Sequence, residues 1–183
     1  MRLLGVLSCK LGRQITFSEI ARDAGMDAKT AERYLDLLQQ AYLVFQLSSY
    51  SGSVPNELKC SFKVCFWDNG IRNLACGDFR PIGRRQDADL LWQNYFITER
   101  RKAALYAGKG VRQHFWRSTQ KQEVGLVELT GRKVSAYGMR WTSDRPHRLP
   151  LTFSKGYPGA RLETVNRSDY LSHTLEAQQV LSF

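Results

Sequence analysis

The sequence predicts an α+β protein of two units, and three observations support this prediction. Residues 1–80 contain short helical patterns joined by tight turns, followed by a β-hairpin pattern. Residues 81–183 begin with a longer amphipathic pattern, continue with candidate strands and close on another helical pattern. The halves also differ in charge: the first holds 10 basic and 8 acidic residues, and the second holds 17 and 9. We therefore expect two domains, the second of them an α/β domain with a mixed sheet.

Stop and start signals mark the first two helices. Residues 3–11 are largely apolar and precede Gly12, a residue type that readily takes positive φ at a helix end. Thr16 and Glu19 have the spacing of a capping box, in which each side chain accepts a hydrogen bond from the other's backbone N–H. A second helix is therefore expected to begin near Phe17.

A third helix is expected over residues 28–40. It follows a turn that contains Gly25, and Asp27 is a suitable N-cap. Its apolar positions at helical spacing are Ala31, Tyr34, Leu35, Leu38 and Ala41.

The outer face of this third helix is a candidate nucleic-acid contact. Helical spacing turns Lys29, Thr30 and Arg33 toward solvent. Glu32 and Asp36 share that surface, so its charge is near balance, whereas a phosphate-binding helix usually carries a clear positive excess. A structural or protein-docking role for the helix is the alternative.

A β-hairpin is expected after the third helix. Residues 42–47 and 63–67 are rich in β-branched and aromatic side chains, and residues 48–56 between them contain serine, glycine and proline. The order of helix, tight turn, helix and hairpin predicts a winged helix-turn-helix domain over residues 1–80.

The second unit is expected to contain a helix over residues 89–101 and a closing helix over residues 168–180. A turn at Gly131 separates two of its strands, and residues 142–156 are expected to be loop with a short helix later. The strands are expected over residues 114–117, 123–129, 133–141 and 162–166.

Most of the net charge of +10 lies in this second unit. A basic surface of this kind favours a polyanionic partner such as DNA, although a merely soluble basic surface is an equal alternative. The basic residues concerned are Arg84, Arg85, Arg100, Arg101, Lys102, Arg117, Lys121, Arg132 and Arg140.

Five segments occur in an order that resembles a known family. They are residues 66–73 (FWDNGIRN), 91–99 (LWQNYFITE), 115–117 (FWR), 122–124 (QEV) and 137–141 (YGMRW). This order is similar to that of the C-terminal region, the DUF4143 domain, of a family of prokaryotic AAA-type ATPases. The resemblance implies a winged helix followed by a restriction-endonuclease-like (PD-(D/E)XK-like) domain over residues 81–183.

In that family a P-loop ATPase domain precedes this region. The segment Ala107-Gly108-Lys109-Gly110 lacks the serine or threonine that a P-loop has after its lysine, so a loop is the better interpretation. The resemblance therefore implies a fragment, a truncated product or a stand-alone relative. Its expected partner is a P-loop ATPase or its own missing N-terminal ATPase segment.

A nuclease site of the restriction-endonuclease type needs one helix acid, one strand acid and a Glu-x-Lys on the next strand. The acids hold a divalent cation that activates water, and the lysine orients that water. By the resemblance, Glu99 is the helix acid, the strand acid falls at Gly125, and Glu-x-Lys falls at Gly138 and Arg140. Glycine has no ligand atom and Arg140 supplies only positive charge. We therefore expect a degenerate site, with a small gap in place of the metal.

Glu123 and Glu128 are the acids that remain on the strand. Alternation predicts Glu123 on the same face as Gly125, and Glu128 on the opposite face. A migrated site that uses Glu99 and Glu123 with Mg²⁺ is the alternative hypothesis; otherwise no metal and no cofactor are expected. The plainer interpretation makes Glu99 a solvated partner of neighbouring cations.

Several other function classes have little support. No apolar window is long enough to cross a membrane and no signal peptide begins the chain, so a cytoplasmic protein is expected. The four cysteines and three histidines have no ligand spacing, and the cysteines are expected to be buried, reduced thiols.

The function expected from the sequence is a non-catalytic module that binds nucleic acid or a partner protein. The alternatives are a metal-dependent nuclease with a migrated site, a protein-docking module for a P-loop ATPase, and a decayed gene product. The residues expected to contact nucleic acid are Lys29, Thr30, Arg33, Arg100, Arg101, Lys121 and Arg140.

Overall fold

The computed structural model describes residues 2–50, 61–141 and 149–178. Within these ranges the chain is a mixed α+β structure with seven α-helices and one six-stranded sheet. The helices are α1 Arg2–Cys9, α2 Phe17–Ala24, α3 Ala28–Gln40, α4 Asn69–Cys76, α5 Ala88–Tyr106, α6 Leu151–Gly156 and α7 Tyr170–Gln178. The strands are β1 Val44–Ser49, β2 Phe62–Phe66, β3 Val111–Arg117, β4 Glu123–Thr130, β5 Lys133–Met139 and β6 Arg161–Val165.

The predicted signals for the second and third helices are confirmed, whereas α1 ends at Cys9, before it reaches Gly12. The Thr16 side chain accepts from the Glu19 N–H, and the Glu19 carboxylate accepts from the Thr16 N–H, at 3.3 and 2.9 Å. Gly25 ends α2 with φ +66°, and Asp27 Oδ1 accepts from the Thr30 N–H at 2.9 Å to start α3. Local side-chain bonds satisfy N–H groups that the helix starts would otherwise leave unpaired.

Helix α3 buries a narrower stripe than its sequence predicts. Ala31 and Leu35 are fully buried, whereas Tyr34 is 47% exposed and Ala41 is exposed. The difference arises because α3 packs on α2 and β1 and leaves one flank open.

All six strands join in the order β2-β1-β3-β4-β5-β6. The pairs β1–β2, β3–β4 and β4–β5 are antiparallel, and β1–β3 and β5–β6 are parallel. The four strands predicted for the second unit are confirmed as β3 to β6. The predicted hairpin is also present, but it is continuous with the main sheet, since Ser48 and Ser49 of β1 pair with His114 and Phe115 of β3.

A β-bulge interrupts β4 in the middle of the sheet. Trp116 pairs with Val124 and His114 pairs with Val127, so Gly125 and Leu126 together lie opposite the single residue Phe115. The bulge breaks the alternation of side chains along β4.

Helix α5 covers one face of the sheet. The core between them contains side chains from both halves of the chain. One buried cluster combines Phe45, Leu47 and Cys65 with Trp92 and Phe96 of α5. The Asn94 side chain reinforces this junction by accepting from the Phe66 N–H at 2.8 Å and donating to the Phe66 carbonyl at 2.9 Å. The domain boundary between residues 80 and 81 stays a prediction.

Some predicted features lie outside the described residues. They include most of the connection over residues 48–56, Cys60, His147 and the last residues of the closing helix, which the structure describes as α7. Cys9 is exposed, so the prediction that the cysteines are buried is wrong at that position.

Candidate nucleic-acid interface

The two glycines of the expected nuclease site do not face the same side of the sheet. A Cβ on Gly125 would lie 2.8 Å from the Met139 side chain and 3.4 Å from Gln93 of α5. Tyr137 and Met139 both contact the core beneath α5, so alternation turns Gly138 to the opposite face. Arg140, between Met139 and Trp141, is turned away from α5 for the same reason.

Side chains fill the space expected at Gly125. Met139 and Gln93 occupy that side of the glycine, and the neighbouring cavity measures about 10 Å³. Such a volume holds at most one water, whereas Mg²⁺ normally keeps several. The expected gap in place of a metal is therefore absent beside Gly125.

The bulge also changes the position of Glu128. It brings Glu128 to the α5 face, where Arg100 donates to its two oxygens at 2.8 and 2.5 Å. Gln113 donates to the same carboxylate at 3.1 Å. The prediction that Glu128 lies on the opposite face from Glu123 is wrong, because the bulge shifts the side-chain alternation by one residue.

The acids of the migrated-site hypothesis are bound to cations. Lys102 donates to Glu99 at 2.8 Å, as the plainer interpretation expects. Glu123 forms an ion pair with the buried Lys63 and lies 3.7 Å from Arg117. Among the described residues, no three histidine, cysteine, aspartate or glutamate side chains are grouped so that they could hold a metal ion.

Two of the predicted nucleic-acid contacts are half-buried and packed against other residues of the protein. The Arg100 side chain is 11% exposed and neutralises Glu128. Arg101 lies over the rings of Phe45 and Trp67, at 4.5 and 5.7 Å from their centroids, and burial lowers its pKa. Both guanidinium groups are therefore engaged by other residues of the protein.

Four other predicted contacts lie at the surface, in different places. Lys29 and Arg33 are exposed on α3, while Thr30 beside them is tied to Asp27 through its N–H and its hydroxyl. Lys121 is exposed in the turn before β4, and Arg140 is exposed just after β5.

A polar cavity of about 220 Å³ lies where the β4–β5 turn approaches the end of α5, and we call it the tip cavity. Strand pairing brings its walls together, because Val111 pairs with Thr130 and Ser135 pairs with Arg161. The exposed Arg132 lies in the adjoining turn, and the exposed Lys133 begins β5. The residues that line the tip cavity are Arg100, Ala104, Lys109, Val111, Glu128, Thr130, Ser135, Tyr137 and Arg161.

The tip cavity combines positive charge with hydroxyl groups. Arg100 compensates Glu128 within it, and Glu163 beside it binds both Arg161 at 2.5 Å and His173 at 2.7 Å. Burial raises the pKa of Tyr137, which keeps its hydroxyl protonated as a donor. Sequence reasoning missed Lys109, Lys133 and Arg161 as a group, because only the strand register places them side by side.

A second cavity of about 390 Å³ lies at the other end of α5, and we call it the aromatic pocket. Trp92 lies in its wall, with its ring centroid 5.9 Å from that of Tyr95, 5.8 Å from that of Trp141 and 5.4 Å from that of Tyr170. The Arg167 guanidinium lies 5.6 Å from the centroid of Trp141. Ile82, Leu91 and Asn69 complete the lining.

The walls of the aromatic pocket are fixed by hydrogen bonds. The Trp141 backbone N–H donates to the Asp89 carboxylate at 2.6 Å, and the Asn69 side-chain amide donates to the Leu91 carbonyl at 3.0 Å. Burial and a hydrogen bond with Tyr170 raise the pKa of Tyr95 to about 12. The rings are therefore held in place as neutral, preorganised surfaces.

A third cavity, of about 440 Å³, is an apolar groove between α1 and α3. We call it the α3 groove. Tyr34 and Leu37, which are 47% and 49% exposed, lie on its α3 side, with Met26 and Leu38 beside them.

Comparisons with known proteins give relatives of unknown function. Residues 1–81 match a family described as a domain of unknown function, DUF8612. The chain is similar to the uncharacterized protein Rv2008c of Mycobacterium tuberculosis and to the uncharacterized protein Mb2031c of Mycobacterium bovis, with 31% identity over 124 residues in each case. Those alignments cover 66% of this chain and 27% of each relative, so the chain spans about a quarter of their length.

No solved structure matches the chain. In the ranges that the structure describes, no helix is both long enough and apolar enough to span a membrane.

Proposed function

We propose that this protein is a non-catalytic nucleic-acid-binding module. In this proposal, residues 1–80 are a winged helix and residues 81–183 are a restriction-endonuclease-like domain that has lost its metal site, as the resemblance to the DUF4143 region implies. The tip cavity supports the proposal most directly. At one end of the sheet it gathers cations and hydroxyls from several elements, namely Lys109, Arg161, Thr130, Ser135 and Tyr137.

The chemistry of the tip cavity suits a phosphate backbone. Lysine, arginine and hydroxyl side chains supply most protein contacts to phosphate oxygens, and these contacts position a strand without reading its sequence. Arg132 and Lys133 extend the positive charge from the cavity onto the exposed turn. Nucleic acid that crosses this turn would therefore meet cations from several elements at once.

Cleavage is not part of the proposal, because the nuclease positions lack a metal cage. Gly125 faces Met139 and Gln93, while Glu99 and Glu123 are paired with cations. We expect no nicking of plasmid DNA by the purified protein with Mg²⁺ or Mn²⁺. Cleavage that depends on metal and disappears in the Glu99→Ala, Glu123→Ala double variant would restore the nuclease hypothesis.

Fluorescence anisotropy with labelled 20-nucleotide single-stranded and duplex DNA tests the binding proposal. We expect affinity to fall steeply between 50 and 200 mM salt, since bound cations release counterions from the DNA. The Arg132→Gln, Lys133→Gln double variant should weaken binding and reduce the slope of log K against log salt by about 1 to 2.

The matched control is Arg13→Gln with Arg22→Gln, which removes the same charge from exposed positions in and before α2. An equal loss of DNA affinity in both double variants would show that only the total charge matters. That result would contradict a binding site at the turn. Absence of salt-sensitive binding by the unmodified protein would remove the proposal.

The α3 groove favours a second candidate function, a protein-docking module. Its exposed Tyr34 and Leu37 are apolar side chains on a helix face whose charges nearly balance, which suits a protein partner better than phosphates. The resemblance points to a P-loop ATPase, or an ATPase segment of the same polypeptide, as the partner.

Affinity purification of the tagged protein from its native cells tests this candidate. Recovery of a P-loop protein, and its loss in the Tyr34→Ser, Leu37→Ser variant, is the expected result. Equal recovery with Leu105→Ser, which alters an exposed residue of α5, is the control. Recovery that does not depend on Tyr34 and Leu37 would exclude the α3 groove.

A further inference from the structure

We infer that the aromatic pocket binds the base of a nucleotide, with the attached phosphate beside Arg167. The inference rests on the proposed function only for the source of that base. Either a free nucleotide or an unpaired base of a bound strand supplies the same chemistry, a planar ring joined to an anionic group.

The size and shape of the aromatic pocket suit a nucleobase. Its volume of about 390 Å³ lies within the range of small-ligand sites. Trp92, Tyr95, Trp141 and Tyr170 surround it with rings whose centroids lie 5.4 to 5.9 Å from neighbouring rings of the group. Flat faces at several angles suit a planar ligand, because every nucleobase has a π-face that stacks on aromatic side chains.

The charge of the aromatic pocket favours a ligand with an anionic group. Among the residues that the structure describes, its lining contains Arg167 and no acidic residue. An aromatic cage for a cation would instead be expected to lack a neighbouring guanidinium, which repels the ligand. Arg167 lies over the outer ring, Trp141, and is itself exposed, so its donors can reach a phosphate at the mouth of the pocket.

Asn69 supplies the polar edge that distinguishes a base from an aliphatic anion. Its amide donates one hydrogen bond to the Leu91 carbonyl at 3.0 Å and accepts one from Asn94 at 2.9 Å. Those bonds to described residues leave one N–H and one oxygen lone pair of the amide for a ligand. Donor and acceptor groups together match the edges of nucleobases.

The loop that carries Arg167 is already ordered. Asp169 accepts from the Asn166 backbone N–H at 2.8 Å and from its side-chain amide at 3.0 Å, and Asn166 accepts from the Ser168 N–H at 2.8 Å. This closed turn leads into α7 and places Tyr170 against Trp92. Binding therefore needs little rearrangement of the pocket, which limits its entropic cost.

Tryptophan fluorescence provides the test, since Trp92 and Trp141 belong to the pocket. The probes are adenosine 5′-monophosphate, adenosine, ribose 5-phosphate and octanoate, followed by a ten-nucleotide oligodeoxyadenylate and its duplex with oligothymidylate. We expect saturable quenching by adenosine monophosphate and by the single strand, weaker quenching by adenosine, and none by ribose phosphate. The duplex should quench less than the single strand, because its bases are already stacked.

Two variants locate the signal. Tyr95→Leu should weaken the binding of adenosine and of adenosine monophosphate equally, by about fivefold or more. A loss of about fivefold is the lower end of the effect of losing one base–aromatic stack. Arg167→Gln should lower the affinity for adenosine monophosphate to near that for adenosine, and it should leave the affinity for adenosine unchanged. Tyr106→Leu and Arg13→Gln alter exposed residues outside the pocket and serve as controls.

The outcomes separate this inference from the proposed function. Binding of DNA without quenching, or quenching that neither variant changes, overturns the base pocket and leaves the tip cavity proposal standing. Equal quenching by octanoate also overturns it, since the ligand would then be an apolar anion. Quenching by adenosine monophosphate without DNA binding supports the pocket, assigns it to a free nucleotide and removes the proposed function.

Discussion

Two neighbouring arginine side chains of α5 make different contacts. Arg100 and Arg101 are adjacent on α5, yet Arg100 binds Glu128 and Arg101 lies over Phe45 and Trp67. Arg132, in the β4–β5 turn, is exposed. Composition gives the total charge, but only packing decides which cations remain available to a partner.

The pair of Arg100 and Glu128 gives a stability prediction. Glu128→Gln would leave a nearly buried guanidinium without its counter-charge, so we expect a loss of about 3 kcal/mol in the free energy of unfolding. Urea denaturation at pH 7 measures it. Glu99→Gln, which removes a half-buried partner of Lys102, should cost below about 1 kcal/mol. Equal costs in the two variants would contradict the role assigned to Glu128.

Asp87 gives a prediction about acid stability. Hydrogen bonds from Arg85 and then Arg72 lower its pKa to about 2, from an unfolded value near 3.9. Because the folded pKa is the lower one, the stabilisation is fully present above about pH 4 and is lost as the pH falls toward 2. Asp87→Asn should cost roughly 2 kcal/mol at pH 7.

The difference in unfolding free energy between the unmodified protein and Asp87→Asn should therefore shrink between pH 4 and pH 2. Urea titrations at half-unit pH steps measure it, and Asp36→Asn on the exposed face of α3 is the control. A difference that stays constant with pH would rule out this linkage.

At the scale of elements, the bulge in β4 decides which side chains meet. It places both Gly125 and Leu126 opposite Phe115 and brings Glu128 under α5. Side-chain alternation is reliable only while the strand ladder is regular, and one extra residue reverses it. The bulge thus moves Glu128 from the face opposite Glu123, where alternation predicts it, into a buried ion pair with Arg100.

Restoring the missing acid at Gly125 tests the geometry of this strand. Gly125→Asp would place a carboxylate against Met139 and Gln93, with Gly138 still turned to the other face. We expect a loss of about 1 to 3 kcal/mol in unfolding free energy from burying the polar group, and no Mg²⁺-dependent plasmid cleavage. Gly125→Ala should cost less, because the flexible end of Met139 can move. Metal-dependent cleavage by Gly125→Asp would show that the site is intact apart from this one acid.

The sequence predicted the elements well where local signals are strong. Thr16, Gly25 and Asp27 fix helix ends through bonds to near neighbours, so their effect is visible in the sequence. Helix α4 was not predicted, although Asp68 caps it, because Asn69, Gly70 and Asn73 are weak helix formers. The tip cavity and the aromatic pocket could not be predicted, since each joins residues distant in sequence.

At the scale of the whole molecule, the two halves share a sheet and a core. Leu47 of β1 is fully buried in a cluster with Phe96 of α5 and Phe115 of β3. Such a shared core couples the stability of the N-terminal helices and hairpin to that of the later strands.

We therefore expect one cooperative unfolding transition in urea, with coincident midpoints by circular dichroism and by tryptophan fluorescence. Leu47→Ala should lower both midpoints together, at a cost of about 2 to 4 kcal/mol. Leu37→Ala, at a half-exposed position of α3, should have a much smaller effect. Two separate transitions, with only one shifted by Leu47→Ala, would show that the halves unfold independently.

The parallel pairing of β1 with β3 also has a consequence during synthesis. Ser48 and His114 face each other across it and are separated by 66 residues of chain. At translation rates of about 5 to 20 residues per second, β1 emerges roughly 3 to 13 seconds before its partner strand. Throughout that interval the nascent chain presents an unpaired strand edge beside Phe45 and Leu47, a surface suited to chaperone binding and prone to aggregation.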